Sequence, residues 1–385
     1  MDERVIERVH PMNDAKGKAI TRRSAILGLA GAAIVSSAPG VESAPANGDF
    51  ALELLPPLRS RSAASGIKFG CAGAAPIVHP DAIMLDKMST EANIYIPEGH
   101  LKWEHTEPRP NDFNFEGPDS IVDYAARHDM IMHGHTLVWY AANPDWVSQL
   151  ATARDATAAL ERHIGTLVTR YRGKIWAWDV VNEPLEPKDG LENGYRNSFW
   201  LRLLGIDYVD LAFRLARAAD PVTPLCLNEY GFEYTTPISK RRRQDILALL
   251  RKLRDRNTPI DCFGLQSHLD GHQVFDRKEL TDFLRGVVDL GYRLLITELD
   301  VNDVQIRGNE TERDAAVERH VEEYLDIVFS VARPISISTW GLSDRYTWLR
   351  QYYNRTDGRP LRPLPLDSNL NRKRMWSTLA AHLSA

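Results

Sequence analysis

From about residue 66 onward the chain alternates between two hydrophobic periods. Short runs rich in β-branched and aromatic residues recur: "IKFGCA" near 67, "NIYIPE" near 93, "IMHGHTLVW" near 131, "IWAWDVVNE" near 175, "LCLNEY" near 225, "CFGLQSH" near 262, "RLLITELD" near 293 and "ISISTWG" near 335. Runs this continuously apolar predict strands covered on both faces. Between them apolar residues return every three or four positions, which predicts amphipathic helices. The clearest cover 158–171, 200–219, 246–256, 280–290 and 315–331, with a closing helix near 374–383. No linker, repeat or low-complexity stretch divides this region. A single domain over 66–385, preceded by a segment at 47–65, is the simplest organisation. Eight strands each followed by a helix predict an α/β fold of the (β/α)8 TIM-barrel type. An open doubly wound sheet is the alternative, but no glycine-rich phosphate turn follows the first strand.

A barrel of this kind carries its chemistry at the C-terminal ends of its strands, so unusual polar residues should collect there. "WAWDVVNEP" shows the pattern: an apolar strand runs into Asn182 and Glu183. The second strand runs into Glu98 and Lys102, the third into His135 and Trp139, the fifth into Asn228, Glu229 and Tyr230. Gln266 and His268 follow the sixth, Glu298 and Asp300 end the seventh, and Trp340 and Asp344 follow the eighth. Trp176 and Trp178, inside a strand, read as core residues.

Composition narrows the class without naming it. The 385 residues are 43% hydrophobic and 26% charged, with a formal net charge of -5, an ordinary globular balance that gives no sign of nucleic-acid binding. The basic run Lys240 to Arg243 opens a helical pattern and reads as a solvated helical face. Residues 1–46 differ in kind: Thr21-Arg22-Arg23 precede a short apolar run and then Ala44-Pro45-Ala46. That is an export signal of twin-arginine type, too short for a convincing membrane span. It places the mature chain in the periplasm or outside the cell with no membrane attachment; separately, a monomer is expected. Three cysteines allow at most one disulfide, and Cys226 with Cys262 is the better pair, while Cys71 reads as a buried thiol.

Two strand-end carboxylates, Glu183 and Glu298, nearly face each other across the proposed barrel mouth. Paired carboxyl groups are what retaining glycoside hydrolysis uses, one as nucleophile and one as acid and then base. Flat indole faces stack on sugar rings, and Asn, Gln, His and Lys hydrogen-bond to hydroxyls. Three other readings stand beside this one: a related β-glycosidase of altered specificity, a non-catalytic sugar-binding barrel, and a metal-dependent hydrolase using His133 and His135 as an H-x-H pair.

The stretches "KWEHTEP", "GHTLVW", "WDVVNEP", "LQSHL", "ITELDV" and "WGLSDRYTW" occur in order along the chain. In them the sequence resembles glycoside hydrolase family 10, the endo-β-1,4-xylanase family. The resemblance implies xylan or xylo-oligosaccharide as substrate and no metal or organic cofactor. It implies Glu183 as acid/base, Glu298 as nucleophile, and Asn182 on the 2-hydroxyl of the sugar at the cleavage point. His268 would bond the nucleophile with Asp300 behind it, and Gln266 would contact the acid/base. Glu98, Lys102, His135 and Trp139 fall on the glycone side, Trp340 and Trp348 over the sugar, and Tyr230 toward the leaving group. A cis peptide after His135 is also implied. The chain departs from the family pattern at Gly99, where Asn is usual, at Tyr140, where His is usual, and at Glu229, where Asp is common.

Overall fold

The computed structural model describes residues 49–78 and 81–384. The export signal expected at 1–46 lies outside them. Among the described residues there are nine parallel strands: β1 (Lys68–Gly73), β2 (Ile94–Pro97), β3 (Ile131–Val138), β4 (Ile175–Asn182), β5 (Leu225–Glu229), β6 (Cys262–Leu265), β7 (His268–Asp270), β8 (Arg293–Asn302) and β9 (Ser336–Thr339). Eight close a barrel in the order β1-β2-β3-β4-β5-β6-β8-β9, and β9 returns to β1 from Lys68↔Ser336 to Cys71↔Thr339. The expected (β/α)8 fold is therefore observed. The stretch "CFGLQSH", read as one strand, breaks at Ser267, whose φ of 62° turns the chain. Beyond the break β7 pairs only with the end of β8, setting His268 opposite Asp300.

Helix-facing strand residues join one large core that includes Phe69, Cys71, Tyr95, Trp178, Leu227 and Phe263. Smaller apolar layers fill the interior: Ala72, Ile94, Ile96 and Trp340 in one, Ala177, Cys226, Cys262 and Leu295 in another. Trp178 is fully buried, as read, and Trp176 is half-buried against both inner layers. Trp178 reaches its place because Gly134 has no side chain: a Cβ there would come within 2.1 Å of the indole.

The helices begin earlier than their apolar periodicity does, because polar caps open them. Thr152 caps Ala153–Arg170, Asp276 caps Arg277–Asp289, and Asn309 forms a capping box with Glu312 at the start of Glu310–Val331. The single helix expected over 200–219 is two, Phe199–Leu204 and Asp207–Ala219. Gly205 separates them with φ 63° and ψ −173°, a conformation only glycine takes without strain.

Two further expectations are corrected. Cys226 and Cys262 are free and buried, not bridged, as is Cys71. They are direct register partners on β5 and β6, so their side chains stand side by side from one face of the sheet rather than pointing at each other as a disulfide requires. The basic run at 240–243 is not a solvated face throughout. Its helix starts at Pro237 behind the Thr236 cap, which leaves Lys240 and Arg241 exposed but buries Arg242 and Arg243. Arg242 donates to the Leu185 carbonyl and to Glu186, and Arg243 to the carbonyls of Phe232 and Tyr234. Both arginines tie the helix to the loops above β4 and β5.

Candidate active site

Strand ends and loops enclose a cleft of about 350 Å³ at the C-terminal mouth of the barrel. Ten of the candidate residues line it: Glu98, Lys102, His135, Trp139, Asn182, Glu183, His268, Glu298, Trp340 and Trp348. Ala74, His100, Gln351 and Tyr352 line it too, and sequence reasoning missed them. They lie in loops and, for Gln351, a short 3-10 helix outside the strand ends, where periodicity carries no signal. Gln266 and Asp300 stand behind the wall and act on residues within it. Asp344, expected at the same rim, is buried against Lys373, 2.9 Å away, and braces the C-terminal segment instead.

Glu298 sits among donors. Its Oε1 accepts from Asn228 Nδ2 at 2.7 Å and its Oε2 pairs with His268 Nε2 at 3.1 Å. Nδ1 of the same imidazole lies 2.9 Å from Asp300 Oδ1, and Asp300 Oδ2 accepts from Trp348 Nε1 at 2.6 Å. Burial alone would lower His268, but Asp300 and then Glu298 overcome it and hold the ring well above its ordinary value. An imidazolium donating from both nitrogens favours a charged Glu298.

Glu183 is held differently. Its Oε1 accepts from two neutral amides, Asn182 Nδ2 and Gln266 Nε2, each at 3.1 Å. Its Oε2 lies 3.5 Å from the guanidinium of Arg196. Asn228 Nδ2 also donates to Asn182 Oδ1 at 2.9 Å, so one run of amides links the surroundings of the two carboxylates. Asn228 is a strand-end polar residue to which sequence reasoning assigned no role.

Across the cleft, beyond β2 and β3, Lys102 sits 4.7 Å from the centroid of the Trp139 ring. Burial pushes Lys102 down and Glu98 up, and the attraction between them opposes both shifts. His133 and His135 do not converge on an open position. Each places a ring nitrogen 2.9 Å from buried Asp179, which they hold below its usual range against the desolvation that raises it. Among the described residues no group of three or more His, Cys, Asp or Glu is arranged to hold a metal ion. The peptide between His135 and Thr136 is cis.

Tyr230 is not in the cleft. It lies beyond Glu183, where its hydroxyl donates to Glu186 at 2.9 Å and accepts from Arg196 at 3.0 Å. Beside it Glu229 is buried, accepts from the Leu185 amide at 2.9 Å, and is pushed by desolvation up to about 8, with Arg242 and Arg196 opposing. Of the three departures from the family pattern, Tyr140 underlies Arg196, and Glu229 belongs to this cluster. Gly99 lines the cleft with open space around it: a Cβ would meet nothing nearer than His105 at 4.0 Å.

Comparison with known proteins agrees with this geometry. A family model described as Glycosyl hydrolase family 10 matches residues 57–382. Endo-1,4-beta-xylanase B of Paenibacillus barcinonensis is 33% identical over 330 residues, covering 82% of this chain and 96% of that protein. Endo-1,4-beta-xylanase 1 of Humicola insolens is 32% identical over 294 residues, and the match spans 75% of this chain but 65% of the relative. Among solved structures, native xylanase 10B from Thermotoga maritima gives a TM-score of 0.77 at 28% identity, covering 85% of this chain and 98% of that one. Xylanase 10B from Thermotoga petrophila RKU-1, in complex with xylobiose, gives 0.77 at 27%, covering 85% and 97%. The family match takes in every strand of the barrel and both facing carboxylates, and the chain belongs to glycosyl hydrolase family 10.

Proposed function

We propose that the protein is an endo-β-1,4-xylanase that cleaves internal bonds of xylan with retention at the anomeric carbon, with Glu298 as nucleophile and Glu183 as acid/base. One observation carries the assignment of roles. Glu298 pairs at 3.1 Å with the His268 imidazolium, whereas Glu183 accepts from two neutral amides and has its guanidinium neighbour, Arg196, farther off at 3.5 Å. Two carboxyl groups in unlike surroundings divide the work of nucleophile and acid.

In the first step a Glu298 oxygen attacks C1 of the sugar, the glycosidic C–O bond breaks, and the Glu183 proton passes to the leaving oxygen. In the second a water oxygen attacks C1, gives its proton to Glu183 and displaces Glu298. In this reading Asn182, which belongs to the amide network beside Glu183, holds the hydroxyl next to C1. Trp340 and Trp348 offer indole surface over the sugar.

The test uses purified protein, xylan and an aryl β-xylobioside with a good leaving group. Glu298→Ala is expected to abolish both activities. Glu183→Ala is expected to lose xylan hydrolysis while keeping kcat/KM on the aryl substrate, with azide restoring turnover as a β-glycosyl azide. Wild-type protein inert on both substrates, or Glu183→Ala active on xylan, would overturn the assignment.

We also propose that residues 1–46 direct export and that the mature chain works as a monomer without membrane attachment. No helix among the described residues is long and apolar enough to cross a membrane. Fusion of residues 1–46 to a reporter and light scattering of the mature chain test these points.

A further inference from the structure

The acid/base is gripped by an arginine that the two chemical steps do not themselves require. Arg196 lies in the loop after β4 and is 8% exposed. Its Nε donates to the backbone carbonyl of Glu183 at 2.8 Å, and its Nη2 to the Leu185 carbonyl at 3.3 Å and the Tyr230 hydroxyl at 3.0 Å. The same Nη2 stands 3.5 Å from Glu183 Oε2 and 3.7 Å from Glu186 Oε2. The guanidinium carbon lies 3.9 Å from the centroid of the Tyr140 ring, so the tyrosine forms a plate beneath the cation.

The backbone of Glu183 explains why a grip is needed. Its φ is 55°, in the left-handed region that strains a non-glycine residue. Such a conformation persists only where its surroundings over-determine it. The Glu183 amide donates to the Asn228 carbonyl at 3.0 Å, Arg196 takes the carbonyl, and Glu229 takes the Leu185 amide at 2.9 Å. We infer that Arg196 is a positioning residue for the acid/base: it clamps Glu183 in the left-handed conformation through the carbonyl while its charge sets the ionisation of the carboxyl, with Tyr140 fixing the guanidinium plane.

This rests on Glu183 being the acid/base. The charged and titratable groups around Glu183 are Arg196 and Glu186 from its own loop, Glu229 and Tyr230 from the end of β5, and Arg242 from the Pro237–Asp255 helix. Lys102 and Tyr140 face it from the loops after β2 and β3, and Glu298 from β8. Desolvation pushes Glu229 up, toward its neutral form. Arg196 and Arg242 then share Glu186 as their charged partner, and the excess positive charge falls toward Glu183. A cation there favours the carboxylate left after proton donation, the form that must act as base in the second step.

The test measures kcat/KM against pH for Arg196→Met, Arg196→Lys and Tyr140→Ala, on a xylo-oligosaccharide and on an aryl β-xylobioside with a good leaving group. Loss of the cation in Arg196→Met is expected to move the alkaline limb upward by about 1 pH unit or more. The oligosaccharide rate should fall about 10- to 100-fold, and the aryl rate much less, because a good leaving group needs no acid. Arg196→Lys keeps a charge, so it should keep the limb and lose rate. Tyr140→Ala, which leaves the buried arginine in place, should move the limb in the same direction but less, and it stands as the test if Arg196→Met does not fold. A wild-type alkaline limb in both Arg196→Met and Tyr140→Ala, with equal losses on the two substrates, would overturn the inference. If Glu183→Ala still hydrolyses the oligosaccharide, the catalytic reading itself fails; if it does not, an unmoved limb sinks only the role of Arg196.

Discussion

Replacing Asp300 by Asn tests whether a charge behind His268 maintains the charge on Glu298. The change is nearly isosteric and leaves every group in the cleft in place. Asp300 makes two contacts, to His268 Nδ1 at 2.9 Å and to Trp348 Nε1 at 2.6 Å. With aspartate both are charge-assisted; asparagine keeps one acceptor oxygen, for Trp348, and presents an amide N–H to His268 Nδ1, so neither contact is charge-assisted. Charge-assisted hydrogen bonds contribute roughly 1.5–3 kcal/mol against 0.5–1.5 for neutral ones, so each contact loses about 1 kcal/mol and the pair about 2. At about 1.36 kcal/mol per factor of ten, that is roughly a 30-fold loss in kcat/KM if all of it is felt in the transition state.

The pH dependence separates this from a mere packing defect. Without Asp300, burial of His268 is opposed by Glu298 alone of the two carboxylates, the imidazolium is weakened, and Glu298 loses part of the positive charge that favours its ionised form. The acidic limb of kcat/KM on an aryl β-xylobioside should therefore move upward. Stability should follow the opposite trend. A histidine raised in the folded state contributes its full stabilisation below about pH 6.5, its unfolded value, and loses it as pH rises through the folded value. The difference in Tm between wild type and Asp300→Asn should accordingly be widest at acidic pH and narrow on the alkaline side. An unchanged acidic limb with undiminished kcat/KM, or a Tm gap that widens toward alkaline pH, would refute the reasoning.

Three further outcomes follow from particular residues. Gly99→Asn places an amide in open cleft space without a backbone penalty, since its φ is not positive; KM for a long xylo-oligosaccharide should fall relative to a short one, and equal changes for both would count against a glycone-side role. Gly134→Ala drives a Cβ into Trp178 and should destabilise by about 1–3 kcal/mol, seen as a Tm lower by several degrees. The three thiols should be inert to a thiol reagent in the native protein, and all three should react in denaturant without reductant; reaction of only one would mean that Cys226 and Cys262 are bridged.

The barrel was legible because each parallel strand, covered on both sides, writes itself as a continuous apolar run, and because the polar residue that ends the run falls at the mouth. Glu183, Glu298, Asn182 and His268 all carry that signal. Helix starts at Pro237 and Glu310 carry a weaker one, since Thr236 and Asn309 act through side-chain oxygens that precede any apolar periodicity. Gly205, within an otherwise helical run, gave no local warning of the φ and ψ it adopts.

The clamp around Glu183 was illegible for a different reason. Arg196 sits in "NGYRNS", a loop with no period, and its partners come from the loops after β3, β4 and β5. Its burial, and that of Arg242, depends on carbonyls and carboxylates that only the closed barrel brings together. This separates two kinds of information. The reacting carboxylates are set by strand ends, while the charges that tune one of them come from loops and a helix face. Two chains sharing "WDVVNEP" and "ITELDV" can thus share the reaction and differ in pH profile, and in this chain Tyr140 and Arg196 are where that difference should be sought.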